Sequence, residues 1–393
     1  MLQLTEQQVR FDIVLLGQAW EGEDTFVLLP DKCAFSTDWL DRALKQLPED
    51  MLKGHFVLLT SGSTGLPKLV IGSRRRAEDL VQVLHELQES QPVRETILAL
   101  PLSYCYAFVN QWLWARQFRR RLCVTEGLSQ PDSLLDNLVS ADEAMICLVG
   151  IQVPLLLGSF SGRSFPGVIR VHFAGGRFPF EKLPTVRELF PMARIFNNYG
   201  CAEAMPRLTI RRAEEIREAS DIGMPLPGVE LTYNEMDELL FRSRYGAVGV
   251  VDEQGFRPIL PDTWVKTGDL ASRTDGGGWR LLGRSNEVFK RYGEKVSLPM
   301  LLSTINRSWA GQAVFYRERD SQGEEGHVLV LTPAPTPGQL QAVMMSLRGG
   351  HPRAQWPLRI ESVPLIPLLS NGKPDIAAIA HEKNKIIHWY QRI

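Results

Sequence analysis

Leu59-Thr60-Ser61-Gly62-Ser63-Thr64-Gly65-Leu66-Pro67-Lys68 decides how this chain is read. Apolar Phe56, Val57, Leu58 and Leu59 lead into it, and Leu69, Val70 and Ile71 follow. The pattern predicts a loop between two buried strands. Gly62 and Gly65 let the backbone turn tightly and aim N–H groups at an anion. Four hydroxyls add donors and Lys68 adds a cation. Such a loop suits the phosphates of a nucleotide, although a plain hydrophilic hairpin draws on the same turn residues. It is not the strand-to-helix phosphate loop, which needs four residues between its first glycine and Gly-Lys. Here two separate Gly62 from Gly65.

Composition narrows the classes. The 393 residues are enough for two or three domains. With 44% apolar and 23% charged residues the chain has the balance of a soluble globular protein. Forty-four basic residues against forty-five acidic ones create no field to draw nucleic acid or an anionic membrane. The cluster Arg116, Arg119, Arg120 and Arg121 reads as a solvated helix end. Five cysteines (33, 105, 123, 147, 201) form no Cys-x-x-Cys pair. This argues against a zinc site or disulfide framework and for a reduced compartment. The start has no signal pattern, and the longest apolar run, Met145 to Gly158, is broken and too short to span a bilayer. A cytoplasmic location is expected.

The local pattern predicts short strands at Phe11–Leu16 and Phe26–Leu29 and a helix over Thr37–Gln46. It predicts a helix over Arg76–Glu89 and a strand at Thr96–Pro101. Asp142–Leu157 reads as strand, turn and helix, with Pro154 near the helix start. Val168–Phe173 and Arg194–Asn198 are further strands. Glu238–Ser243 and Gly246–Val251 read as strands of one small barrel-like sheet. Trp279–Gly283, Ala313–Arg317 and His327–Leu331 read as strands, and Gln339–Leu347 as a helix.

The loop at 59–68 resembles the phosphate-binding signature of the adenylate-forming superfamily: acyl-CoA synthetases, peptide-synthetase adenylation domains and luciferases. Further motifs follow in that family's order. Tyr199-Gly200-Cys201-Ala202-Glu203 resembles its Tyr-Gly-x-Thr-Glu, with Ala202 in place of the threonine. Gly223 to Gly228 matches a Gly-x-Pro-x-Pro-Gly turn. Thr267-Gly268-Asp269 matches a ribose-binding motif, and Asn371-Gly372-Lys373-Pro374-Asp375 a terminal lysine signature. The resemblance covers about four-fifths of the chain.

The resemblance implies an α/β fold: a large N-terminal AMP-binding domain (residues 1–285, shortened at its N-terminus) and a small α+β C-terminal lid (residues 286–393). It implies ATP and Mg²⁺ as cofactors. Thr60, Ser61, Gly62, Ser63, Thr64, Gly65 and Lys68 would hold phosphates. Gly175, Gly176, Asn198, Tyr199 and Gly200 would lie along the adenosine, with Tyr199 stacked on adenine. Asp269 and Arg284 would meet the ribose, and Glu203 would bind magnesium, a suitable hard ligand. Lys373 would neutralise charge between carboxylate and α-phosphate. Asn286 stands at the hinge, where the family has aspartate.

Tyr104, Tyr106, Arg177 and Cys201 fall where the family binds its acid, though the two tyrosines would serve equally as core and Arg177 as a rim ion pair. No acid occurs between Glu95 and Glu126, where amino-acid-activating relatives hold the substrate's ammonium. An aryl or short-to-medium acyl acid is therefore expected. The acceptor would be CoA or the phosphopantetheine of a carrier protein, as in the succinylbenzoate-CoA ligase type. The alternatives are an adenylation-only or amide-forming ligase and a degenerate, partner-dependent nucleotide binder. The shortened N-terminal layer leaves room for a partner chain or second copy to cover it.

Overall fold

A computed structural model describes residues 1–31, 36–61, 67–367 and 374–391, apart from the side chains of Ser61, Pro67 and Asn286. The apolar residues flanking the glycine-rich loop form an antiparallel pair, His55–Ser61 with Pro67–Ser73, in which Thr60 faces Lys68. Val57, Leu58, Leu69 and Val70 are buried, which anchors the loop's two ends. The pair lies inside a six-stranded sheet, ordered Leu2–Thr5, Phe26–Leu29, His55–Ser61, Pro67–Ser73, Gly249–Asp252, Gly255–Pro258.

The chain divides into two compact units. The first holds Met1–Glu235, Leu239–Thr267 and Ser272–Arg280; the second holds Met236–Glu238, Gly268–Ala271 and Leu281–Ile393. Five strands of the larger sheet are parallel: Arg194–Tyr199, Val168–Ala174, Ala144–Val149, Glu95–Ile97 and Arg121–Cys123. Thr209–Arg212 and Asp221–Pro225 continue it antiparallel. Trp279–Arg284, Val265–Arg273, Glu238–Ser243 and Val229–Tyr233 complete eleven strands among the described residues. Parallel strands need crossovers, here helices Pro131–Val139, Val153–Ser159 and Leu183–Leu189. Phe160, Phe165, Phe173, Phe178 and Phe190 fill the core beneath them. Pro154 sits in the first turn of its helix, where its missing N–H costs nothing.

The second unit carries the hairpin Val288–Arg291/Glu294–Ser297. Its four-stranded sheet is ordered Gln312–Arg319, Glu325–Thr332, Arg359–Ser362, Ile386–Tyr390. Helices Leu298–Ile305 and Pro337–Gly350 bury Leu298, Leu301, Val343 and Leu347 in its core. This α+β unit and the α/β body of the first have the expected fold class. Among the described residues, no helix is long and apolar enough to cross a membrane.

Two expectations are corrected. Phe11–Leu16 is not a strand: helices Glu6–Phe11 and Val14–Glu21 meet there. Thr5 and Gln8 form a capping box, and the Asp12 carboxylate accepts from the Val14 N–H at 3.0 Å. Leu16, Ala19 and Trp20 then face inward at helical spacing. The second correction concerns Glu238–Ser243 and Gly249–Asp252, which do not share one small sheet. Glu238–Ser243 pairs with Val229–Tyr233, whereas Gly249–Asp252 extends the glycine-rich hairpin's own sheet beside Leu69–Ile71. On its other side Gly249 makes room for the Phe256 ring of the next strand, which a Cβ there would meet at 2.6 Å.

Candidate functional site

The hairpin delivers Lys68 to a carboxylate. Its Nζ lies 2.6 Å from Glu203 Oε1, with side chains 23% and 17% exposed. The glycine-rich tip (Gly62, Ser63, Thr64, Gly65) lies outside the described residues; Ser61 and Pro67 face each other across its base. Glu203 sits in the turn Ala202–Ala204, just after strand Arg194–Tyr199. Its carbonyl accepts from the Ala247 N–H at 2.9 Å. Gly200 makes this turn feasible: a Cβ there would stand 1.8 Å from the Pro206 carbonyl oxygen. Solvent still reaches part of both groups, so neither end is sealed in the contact. A reachable carboxylate beside Lys68 has the chemistry to hold Mg²⁺, which takes one or two carboxylates plus phosphate oxygens.

The expected acid wall begins at Leu102. The Glu6 carboxylate accepts from the N–H groups of Leu102 at 2.8 Å and Ser103 at 2.6 Å, and pairs with Arg10 at 2.8 Å. The chain then turns into Cys105–Ala107 and the π-helical stretch Phe108–Leu113. Tyr104 is 47% exposed, while Tyr106 is partly buried. The Tyr106 hydroxyl accepts from Asn198 Nδ2 at 3.1 Å, joining two predicted site residues. Burial holds this phenol well above its usual range, so it keeps its proton at neutral pH.

Sequence reading missed what lies behind that pair. Arg207 is fully buried and donates to Asn198 Oδ1 and Asn110 Oδ1, both at 2.5 Å. Asn110 Nδ2 donates in turn to the Tyr106 carbonyl at 2.8 Å. Burial pulls Arg207 down to about 10, still a cation at neutral pH. His172, stacked 5.1 Å from Phe196, is held well below its usual value by burial and by Arg207. Burial pushes the Cys147 thiol up to about 12. The only local clue was an arginine four residues past Glu203.

Gly175 takes φ +73° at the end of strand Val168–Ala174, beside Gly176. Arg177 pairs with Glu181 at 2.6 Å on the surface. Tyr199 is buried at its strand's end and Cys201 is half-buried in the turn that follows. In the second unit, Asp269 is buried and accepts from Arg284 Nε at 2.9 Å, bringing together the two predicted ribose residues. The Arg284 N–H donates to the Glu287 carboxylate at 3.1 Å, closing the turn Ser285–Glu287 that contains Asn286. Lys373 lies outside the described residues.

Comparison with known proteins matches residues 19–239, more than half of the chain, to the family described as AMP-binding enzyme. The non-ribosomal peptide synthetase CmlP of Streptomyces venezuelae is 25% identical over 342 residues, 82% of this chain and 34% of that protein. The chain thus spans about a third of that synthetase. The D-alanine–D-alanyl carrier protein ligase of Staphylococcus haemolyticus is 23% identical over 84% of this chain and 71% of its own length. Among solved structures, O-succinylbenzoate coenzyme A synthetase from Bacillus subtilis, in complex with AMP, superposes with a TM-score of 0.69. It is 16% identical and covers 95% of this chain and 81% of its own. At that identity the likeness establishes the fold.

Proposed function

The chain belongs to the AMP-binding enzyme family of the adenylate-forming superfamily, and from that membership we propose that it activates a carboxylic acid as its acyl-adenylate and passes the acyl group to a thiol. The observation that carries this reading is the Lys68–Glu203 contact, which joins the phosphate hairpin to the proposed metal carboxylate.

The substrate carboxylate attacks the α-phosphorus of ATP. An oxygen–phosphorus bond forms, the bond to the β-phosphate breaks, and pyrophosphate leaves with the electron pair. Catalysis is chiefly positioning and charge neutralisation. Thr60 to Lys68 hold the phosphates, Tyr199 and Gly175–Gly176 line the adenosine, and Asp269 with Arg284 takes the ribose. Glu203 holds Mg²⁺, which when bound neutralises phosphate charge. Lys373 supplies the cation between carboxylate and α-phosphate.

An α-amino acid fits poorly. Arg207 stands behind the proposed acid wall, and the Glu6 carboxylate is taken up by two N–H groups and Arg10. A cation there repels an ammonium group, so an aryl or short-to-medium acyl acid is favoured. The acceptor is CoA or a carrier-protein phosphopantetheine, a reading supported by relatives that act with each. Exchange of labelled pyrophosphate into ATP, across aryl, dicarboxylic and fatty acids, tests the first step. It should require one acid class and fall by about a hundredfold or more in Lys373→Ala and Glu203→Gln. AMP release with CoA, a phosphopantetheinylated carrier or an amine then identifies the acceptor. If no acid supports exchange although ATP binds, the reading fails.

A further inference from the structure

Glu6 is a buried carboxylate, 3% exposed, and it holds a piece of chain far from it in sequence. Its Oε1 accepts from the Leu102 N–H at 2.8 Å and its Oε2 from the Ser103 N–H at 2.6 Å. Oε1 also meets Arg10 Nε at 2.8 Å, and Arg10 Nη1 reaches the Glu126 carboxylate at 2.7 Å. Strand Leu2–Thr5, paired with Phe26–Leu29, leads directly into helix Glu6–Phe11. The capping box of Thr5 and Gln8 closes that helix's first turn, which carries the carboxylate. Glu6 is thus held in place from its own side as well as from the turn it grips.

Leu102 and Ser103 are the middle residues of a turn closed by the Tyr104 N–H on the Pro101 carbonyl at 3.1 Å. Both are buried, so their N–H groups need acceptors, and a turn of this kind supplies none to its middle residues. Tyr104 follows at once. It precedes helix Cys105–Ala107, and its carbonyl accepts from the Phe108 N–H at 2.9 Å. Its ring is 47% exposed, so its place is set by the turn before it, and that turn is held by Glu6. The position calls for a carboxylate in particular. Three donors converge on two oxygens, whereas a glutamine would offer one oxygen and turn its NH₂ toward a donor. At least one buried donor would then go unpaired, which loosens the turn.

We propose that Glu6 is a positioning residue of the acid pocket: by holding the Leu102–Ser103 turn it places Tyr104 against the substrate acid. It sets the affinity for that acid without touching it. This rests on the acid-activating reading above and adds to it a residue outside the motifs that carry the family resemblance.

The test is pyrophosphate exchange by the full chain with benzoate, glutarate and hexanoate, read as separate KM values for acid and for ATP. In Glu6→Gln the KM of the acid that exchanges fastest should rise about tenfold, while the KM for ATP stays within about twofold of the wild type. Glu6→Asp keeps both oxygens and should raise the acid KM only about threefold. Thr5→Ala removes the cap of the same helix without touching the turn. It should lower stability to urea and leave both KM values as they are. Should Glu6→Gln fail to fold, Glu6→Asp carries the test through the same split between the two substrates. Acid and ATP KM values that move together would show a merely structural role and overturn the proposal. So would an acid KM that rises as far in Thr5→Ala as in the Glu6 variants, or one that neither Glu6 variant moves. Wild-type exchange with unmoved variants removes the role of Glu6 alone. No wild-type exchange with any of the acids removes the ligase reading, and this inference with it.

Discussion

Gly200 sets the position of Glu203, because no side chain fits between it and the Pro206 carbonyl. Gly200→Ala should cost about 3 kcal/mol or more, or push the Tyr199–Glu203 turn out of place. Urea unfolding and pyrophosphate exchange read the two outcomes; a variant normal in both would mean the turn is loose. Lys68→Met and Glu203→Gln should each slow exchange by about a hundredfold. Because the two side chains touch, the double variant should lose less than the product of the single losses. Strict multiplicativity would show that the contact does not matter to the reaction. Lys68, Glu203 and Asp269 were singled out because each sits in a motif that resembles one of the family's, and the structure pairs Lys68 with Glu203 and Asp269 with Arg284. Arg207 was not. Arginine is usually exposed, and nothing beside it in the chain announces burial. Its partner Asn110 lies far off in the chain, and Asn198 was singled out for the adenosine rather than for an arginine.

Strand Glu325–Thr332 carries a testable charge effect at His327. The imidazole is buried between Phe315 and Phe289, 5.1 and 5.9 Å away between ring centres, with no partner for either nitrogen. Burial, then Arg291, brings it from 6.5 to about 3. The folded value is the lower, so the unfolded chain takes up the proton first as pH falls. The stability is fully present above about pH 6.5 and is lost progressively toward pH 3. Between pH 7 and pH 5 His327 should account for about 2 kcal/mol of acid destabilisation. Denaturant unfolding of the second unit should therefore weaken on acidification, and His327→Leu should flatten that limb. Equal acid slopes in both proteins would contradict the burial argument. Elements with long apolar periodicity, such as helix Arg74–Leu87, were legible. The run at 11–16 misled because a short apolar stretch fits strand and helix alike. There the capping residues Thr5 and Asp12 decided between them. Helix Leu298–Ile305 was also unanticipated. Its inner face is formed by Leu298, Leu301 and Ile305.

The architecture of the whole molecule was readable because the motifs recur in one order over most of the chain, and that order belongs to one α/β fold. Strand pairing between distant segments was not. Gly249–Asp252 joins the glycine-rich hairpin from far along the chain, a pairing that local pattern does not encode. The central claim, that a carboxylate oxygen of the substrate attacks the α-phosphorus, is tested most directly by isotope transfer. The acid that supports exchange is labelled with ¹⁸O in its carboxylate and turned over with ATP and the acceptor, and the phosphorus products are examined by mass spectrometry. One labelled oxygen in AMP, and none in pyrophosphate, is the predicted result. Unlabelled AMP, or label appearing in inorganic phosphate beside ADP, would contradict it.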